Sequence, residues 1–401
     1  HRYAYLVNEL GISTSNILCV TFTNKAAREM SKRIRQMIGD SDTGYICTFH
    51  GFCVKLLRED IHAINFPQNF VVMDDEDTEE ILKTVYENAH IQSRTYTFDS
   101  ARDHITAMKS QMLHIPYLAE IGNEKLLADY EKAEKVEDKV FLGYLYEQKK
   151  VYGLDYDDLI TIALYILQTD ETKQIKWQER MMYVMVDEFQ DVSNSQYALA
   201  EILSGYHRNL FIVGDPDQTI YTWRGAQIEY ILEFDETHEN TRTIFLDMNY
   251  RSTPEILTVS NSLIEKNKKR LPHRLEAYKE SGRRPIYIHS KTTGDEAQWM
   301  TSEIQRLVSE GASYNEMAVL YRSHFVSRNI EESFIKVKIP YTLYSGVEFY
   351  KRKEIKDVLA YLRMIVYSDD LSFRRVINEP KRNFGKKRMA LVKAYAESHR
   401  C

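Results

Sequence analysis

Two short stretches of this 401-residue chain carry acids and amides of the kind that phosphate chemistry uses. In VMVDEFQD (184–191) an apolar run delivers Asp187 and Glu188 to its carboxyl end; in IVGDPDQTIYTWRGA (212–226) a second run leads through Gly214, Asp215, Pro216 and Asp217 to Gln218. If both runs are strands of a parallel sheet, their carboxyl ends border the crevice where open α/β sheets hold ligands. A carboxylate there can hold Mg²⁺, and its neighbour can orient a water for attack on a γ-phosphate. A neutral amide such as Gln218 can donate to a phosphoryl oxygen and accept from that water. Tyr221, Trp223 and Arg224 follow within the same loop, so a stacked base and its phosphate have partners beside the same site. An apolar run ending in Asp-Glu also finishes many ordinary strands. The succession of two such runs carries the chemical reading.

These loops need a sheet to hold them. ILCVTFT (17–23) is a short β-rich run; from Asn24 the pattern turns helical, with Ala26, Ala27, Met30, Ile34 and Met37 or Ile38 on one face. YICTF (45–49) repeats the strand-then-helix order, which argues for a doubly wound parallel sheet. From about Asp74 to Tyr152 the chain is charged, tyrosine-rich and helical in pattern, as in KLLADYEKAEKVEDKVFLGYLYEQKK (125–150). The expected class is α/β, two parallel-sheet domains with an inserted all-helical domain. The first sheet domain takes residues 1–73 and 153–249, the insertion 74–152, the second sheet domain 250–370 and the opening of another insertion 371–401. Strands are expected at IYIHS (286–290) and MAVLYR (317–322) around a helix near 295–309, and Trp177 and Trp299, on helical patterns, are expected to pack.

Together with VTFTNKAAREM (20–30), CTFHGF (47–52), LDYDDLI (154–160), LDMNYRS (246–252) and PYTLYSGVEFYKRKEIKDVLAYLR (340–363), the two acid-bearing stretches make seven matches, in order, to one family. On them the chain resembles the superfamily 1 DNA helicases of the UvrD, PcrA and Rep type. The resemblance implies RecA-like sheet domains, ATP and Mg²⁺ as cofactors, and single-stranded DNA and single-strand/duplex junctions as partners, with repair or replication proteins beside them. It implies that Asp187 binds Mg²⁺ through its water shell and that Glu188 is the base or water positioner. Gln218 senses the γ-phosphate, Arg251 stabilises transition-state charge with its planar fork of donors, and Tyr250 stacks on adenine. Phe22, Tyr221 and Trp223 would stack on bases, while Thr21, Asn24, Thr48, His50 and Arg224 bind phosphates or brace the loops that do.

Departures from the family pattern are equally informative. No Walker A loop, G-x-x-x-x-G-K-[ST], occurs: the only Gly-Lys pair, Gly385-Lys386, has Pro380 at the required upstream glycine position and Lys387 after it. The chain starts at His1 with no initiator Met, so the expectation is an interior piece of a longer enzyme, with the phosphate loop upstream and further motifs beyond residue 401. Loss of that strand should expose Val184, Val186, Ile212 and Val213. In PKRNFGKKR (380–388) five of nine residues are basic, and the family often has Gly where this chain has Asn383. A duplex-gripping hairpin and a solvated basic turn both fit.

The leading reading is an ATP-driven 3′ to 5′ DNA helicase or translocase. The alternatives are the helicase subunit of a helicase-nuclease and a single-strand-binding module without motor activity; the intact Glu188, Gln218 and Arg251 argue against the last. Composition adds little: 43% of residues are apolar, the net charge is -6, and no apolar run is long enough for a membrane span. Cys19, Cys47, Cys53 and Cys401 have no metal-ligand spacing, which points to a reduced, cytoplasmic setting.

Overall fold

The computed structural model describes every residue except 40–41, 223–224, 324–325, 345–352, 368 and 400–401. It falls into two compact units, His1–Phe245 with Lys266–His273 and Ala360–Cys401, and Leu246–Glu265 with Arg274–Leu359. The chain is α/β with parallel sheets and is mostly helical.

In the first unit α1 (Arg2–Asn8) precedes β1 (Ile17–Thr21), α2 (Asn24–Ile38), β2 (Tyr45–Thr48) and α3 (Phe49–Asp60). All five β1 residues are buried, as a run without polar alternation requires. α2 starts where Thr23 accepts a hydrogen bond from the Ala26 amide, an N-cap with non-helical backbone. Its buried face takes Ala27 and Ile34 with half-buried Met30 and Ile38, whereas Met37 is exposed. After the helical segment come α9 (Tyr156–Thr169), α10 (Glu171–Arg180), β5 (Tyr183–Val186), α11 (Asn194–Ser204) and β6 (Leu210–Ile212). The sheet order is β2-β1-β5-β6, every pair parallel, with Cys19 opposite Met185 and Met185 opposite Phe211.

Because successive strand residues face opposite ways, the sheet buries two cores. Leu18, Val20, Val184 and Val186 pack with Phe52, Leu56 and other helical residues on one face. Ile17, Cys19 and Met185 pack with Tyr3, Leu6 and Ile34 on the other. The expectation that Val184 and Val186 would be exposed is therefore corrected: β5 is flanked by β1 and β6, and both valines are buried. Exposure falls instead on the β6 edge, where Ile212 is half-buried and Val213 is 43% exposed. Trp177 is fully buried, its Nε1 donating to Asp60 Oδ2 at 2.7 Å.

The helical segment leaves the sheet region through β3 (Val71–Val72), runs through α4 (Asp75–Asn88), α5 (Phe98–Ser110), α6 (Ile115–Ala119), α7 (Asn123–Lys132) and α8 (Val136–Lys150), and returns through β4 (Gly153–Leu154). It has a core of its own, including Leu82, Val85, Phe141, Tyr144 and Leu145. β3 and β4 pair in parallel, Val71 with Gly153 and Val72 with Leu154, so entry and exit lie side by side. Where the chain returns, Asp155 and Asp158 form a reciprocal capping box on α9. Fully buried Lys109 of α5 reaches both, with Nζ 2.6 Å from Asp155 Oδ2 and 2.7 Å from Asp158 Oδ1. Tyr144 donates to the same Asp155 oxygen at 2.7 Å.

Two short helices, α12 (Glu229–Leu232) and α13 (Phe234–Thr237), end the main run of the first unit. In the second unit β7 (Met248–Asn249) pairs in parallel with β8 (Glu276–Ala277), and α14 (Pro254–Ile264), α15 (Thr293–Ser309) and α16 (Ser327–Lys336) surround them in sequence. Ala297, Ile330, Phe334 and Ile339 form its small core. The strands expected at 286–290 and 317–322 are not formed: neither stretch has ladder partners among the described residues, and Tyr287 and Leu320 are 86% and 93% exposed. Trp299, expected to pack, is 37% exposed on α15. α17 (Lys353–Tyr367), α18 (Asp370–Val376) and α19 (Lys386–His399) finish the chain. In the basic turn before α19, Arg382 donates to the Val376 carbonyl at 2.8 Å and to Tyr361 Oη at 2.6 Å, so this cation holds the turn. Asn383 has φ 56°, the left-handed region that Gly fills at no cost and Asn tolerates, which accounts for the family's glycine there. No described helix is long and apolar enough to cross a membrane.

Candidate nucleotide and nucleic-acid site

The site in the first unit is built on the carboxyl ends of β1, β5 and β6. Asp187 follows β5 directly; its amide donates to the Val20 carbonyl at 2.9 Å, and Thr21 Oγ1 donates to Asp187 Oδ2 at 3.3 Å. Burial, with the neighbouring Glu188 charge, holds the Asp187 carboxyl above its ordinary value. A divalent cation at this carboxylate would offset that repulsion, so the residues fit a metal. Glu188 is exposed and sits at φ 53°, ψ 43°, a left-handed conformation unusual for a residue with a Cβ. The residue stays exposed at the sheet end.

Gln190, 1% exposed, ties this acid to the next loop. Its Nε2 donates to Glu188 Oε2 at 2.8 Å, and its Oε1 accepts from the Asp215 amide at 3.0 Å. Asp215 Oδ2 in turn accepts from Gln218 Nε2 at 2.7 Å. A continuous chain of polar contacts thus runs from Glu188 through Gln190 and Asp215 to Gln218. Gly214 leaves room for it: a Cβ there would lie 2.6 Å from Gln190 Oε1 and 2.8 Å from Ile231 Cδ1. Asp217, on the same loop, is held by Arg270 through two bonds, Nε to Oδ1 at 3.2 Å and Nη2 to Oδ2 at 2.8 Å.

The aromatic side is on the same edge. Phe22 after β1 and Tyr221 after the Gln218 turn stack with ring centroids 5.0 Å apart and planes 24° from parallel. Trp223 and Arg224 lie outside the described residues. Asn24 is exposed at the head of α2. Thr21 and Thr48 are buried and act as braces: Thr21 on Asp187, and Thr48 as the N-cap of α3, accepting from the Gly51 amide. His50 meets Tyr156 edge-on at 5.5 Å, and burial pushes its imidazole below the ordinary value, which favours the neutral ring. In the second unit Tyr250 is 67% exposed with its ring 4.8 Å from that of Tyr278. Asn249 Oδ1 accepts from the amides of Arg251 and Ser252 at 3.0 and 2.8 Å, and the exposed Arg251 lies on this turn. Thr253 and Pro254 then start α14.

Gln190, Gly214 and Arg270 were not singled out from sequence. Gln190 left one usable signal, a lone amide inside an acidic turn. Arg270 is far from Asp217 in the chain and left none.

The family model for the UvrD/REP helicase N-terminal domain matches residues 1–239, and that for the UvrD-like helicase C-terminal domain matches residues 244–399. The chain belongs to the UvrD/REP helicase family. Among curated members of that family, the ATP-dependent DNA helicase PcrA of Staphylococcus aureus strain Mu50 is 39% identical over 398 residues, 99% of this chain and 54% of the relative. The PcrA of Staphylococcus epidermidis strain RP62A is 38% identical over the same span. The chain therefore spans about half the length of the curated UvrD/REP relatives it matches.

Proposed function

We propose that this chain is the motor portion of an ATP-driven DNA helicase or translocase that moves 3′ to 5′ along single-stranded DNA in repair or replication. The supporting observation is the polar chain from Glu188 through Gln190 and Asp215 to Gln218, with the Phe22–Tyr221 stack on the same sheet edge. ATP is the substrate, and Mg²⁺, when bound at Asp187, supplies charge neutralisation on its phosphates. Asp187 is braced by Thr21 for that task, and Glu188, exposed at the sheet end, accepts a proton from, or orients, the attacking water. Gln218 reads the γ-phosphate. Arg251 is assigned the transition-state charge and Tyr250 the adenine, both carried over from the family pattern. Phe22, Tyr221 and Trp223 stack on bases, with Asn24 and Arg224 on phosphates; Thr21, Thr48 and His50 keep the loops in shape.

The reading is tested on the full-length gene product with Glu188→Gln, which keeps size and hydrogen bonding and removes the base. Nucleotide affinity should stay within about threefold while DNA-stimulated turnover falls at least about a hundredfold. Equal loss of binding and turnover would make Glu188 a structural residue and end this assignment.

A further inference from the structure

We propose that the groove between α2 and the edge strand β2 is a second nucleic-acid contact, which takes the phosphates of a single strand that continues past the Phe22–Tyr221 stack. The inference rests on the single-strand reading above and extends it along α2, from Asn24 and Arg28 of the quoted motif to Lys32 and Arg35 beyond it. The groove has a volume of about 740 Å³, with buried Ala27 and half-buried Ile46 and Cys47 as its floor and exposed Arg28, Lys32 and Arg35 at its rim. Spacings of four and three residues place the three cations on one helix face, about 5–6 Å apart, and none of them is ion-paired among the described residues. Arg33, off this stripe, is paired with Glu29.

Charge and continuity identify the occupant. The whole chain carries -6, yet α2 has five basic residues, Lys25, Arg28, Lys32, Arg33 and Arg35, against the single acid Glu29. Such a local excess is the footprint of a polyanion. α2 begins at Asn24, directly after the loop that carries Phe22, so the cationic stripe starts where the aromatic stack ends. Burial pushes the Cys47 thiol up to about 11 and keeps it neutral, so the floor stays uncharged and suits a sugar or base edge while phosphates meet the rim.

The test uses the full-length gene product, fluorescein-labelled oligothymidylates of graded length, and anisotropy titrations across a salt series. Each phosphate neutralised on a single strand contributes about 0.7 to the slope of log affinity against log salt, so replacing all three cations by Ala should lower the slope by about 2. Binding of long oligonucleotides at low salt should weaken at least about tenfold. Oligonucleotides too short to leave the aromatic stack should bind the triple variant as they bind the parent. Arg28→Lys with Arg35→Lys should keep the parental slope, which a mere loss of packing would not do. A triple variant with the parental slope overturns the inference, and if Phe22→Ala still weakens binding in that case, the aromatic reading stands alone. Displacement of the oligonucleotide from the parent by polyglutamate, with no slope change in the triple variant, assigns the groove to an acidic peptide and also overturns it. Absence of any oligonucleotide binding overturns both.

Discussion

Lys109→Met should destabilise the protein strongly, and by an amount that depends on pH. Lys109 is fully buried and its ammonium lies within 2.7 Å of two carboxylates, Asp155 and Asp158. Burial opposes charge on Asp155, but the Lys109 cation and the Tyr144 hydroxyl outweigh it and bring its carboxyl from 3.8 to about 2. That depression is a stabilising contribution at neutral pH. Asp158 is held above its ordinary value by burial and by the Asp155 charge. Without the cation, burial drives the Asp155 carboxyl upward as well, which adds to the cost at neutral pH. Buried pairs that lose one partner typically cost about 3–5 kcal/mol, and that is the penalty expected at neutral pH.

The sign of the pH dependence follows from the two directions. In the parent, Asp155 is depressed, so its contribution is present above 3.8 and lost as pH falls toward about 2. In the variant the same carboxyl is raised, so its contribution is favourable in acid and lost as pH rises. The penalty should therefore grow by up to about 1.4 kcal/mol per pH unit above the ordinary carboxylate range and shrink in acid. Urea unfolding of parent and variant from about pH 5 to about pH 8 measures it. A penalty under about 1 kcal/mol with no pH trend would refute the buried ion cluster as a stabilising joint.

Gln190→Ala should cut DNA-stimulated ATP turnover about 10- to 100-fold with a smaller change in nucleotide affinity, read as a kcat against KM split; unchanged kcat would remove the relay from Glu188 to Gln218. Gly214→Ala forces a methyl against Gln190 and Ile231 and should cost about 1–3 kcal/mol in urea unfolding; a neutral outcome would show that the loop can shift freely. Phe22→Ala, Tyr221→Ala and Trp223→Ala should each weaken single-strand binding by about 1–3 kcal/mol with melting temperature almost unchanged. A large drop in melting temperature at unchanged affinity would make the ring a packing residue. The 401-residue chain alone, whose sequence has no Gly-Lys phosphate loop, should show no useful DNA-stimulated ATP turnover; rates like those of an intact relative would mean the phosphate site has been misplaced.

The first sheet was legible because its strands are fully buried apolar runs that each end at a polar turn, as Ile17–Thr21 and Tyr183–Val186 do. The helical segment was legible from its charge, its tyrosines and the lack of strand pattern. IYIHS and MAVLYR show the limit: β-rich composition marks a stretch that fits a sheet, but ladder partners make the strand, and none is formed there. At the site, residue types drew attention to Asp187, Glu188 and Gln218, and the structure links Glu188 and Gln218 through Gln190 and Asp215. Of the two roles open to Thr21 and Thr48 in the sequence, phosphate contact or loop brace, their burial favours the brace, a distinction that spacing alone does not make. The left-handed turn at Glu188 had no warning in the sequence, because a glutamate rarely adopts it.

The short β3–β4 ladder has a consequence for how the gene can vary. With Val71 beside Gly153 and Val72 beside Leu154, the roughly 80 residues between them form a loop closed at its neck, and closure entropy rises only slowly with loop length. Each doubling costs about 0.6 kcal/mol, so replacing the whole excursion by a turn of about ten residues changes the closure term by only about 2 kcal/mol. The neck is thus a point at which an entire helical module can be exchanged, lengthened or trimmed with little entropic effect on the sheet. What such an exchange must preserve is packing and charge: Ile115 and Leu118 of the excursion are buried in the sheet-side core, and Asp155 and Asp158 stay with the sheet, so any replacement has to fill that space and bring a cation to the two acids or see them converted to neutral residues.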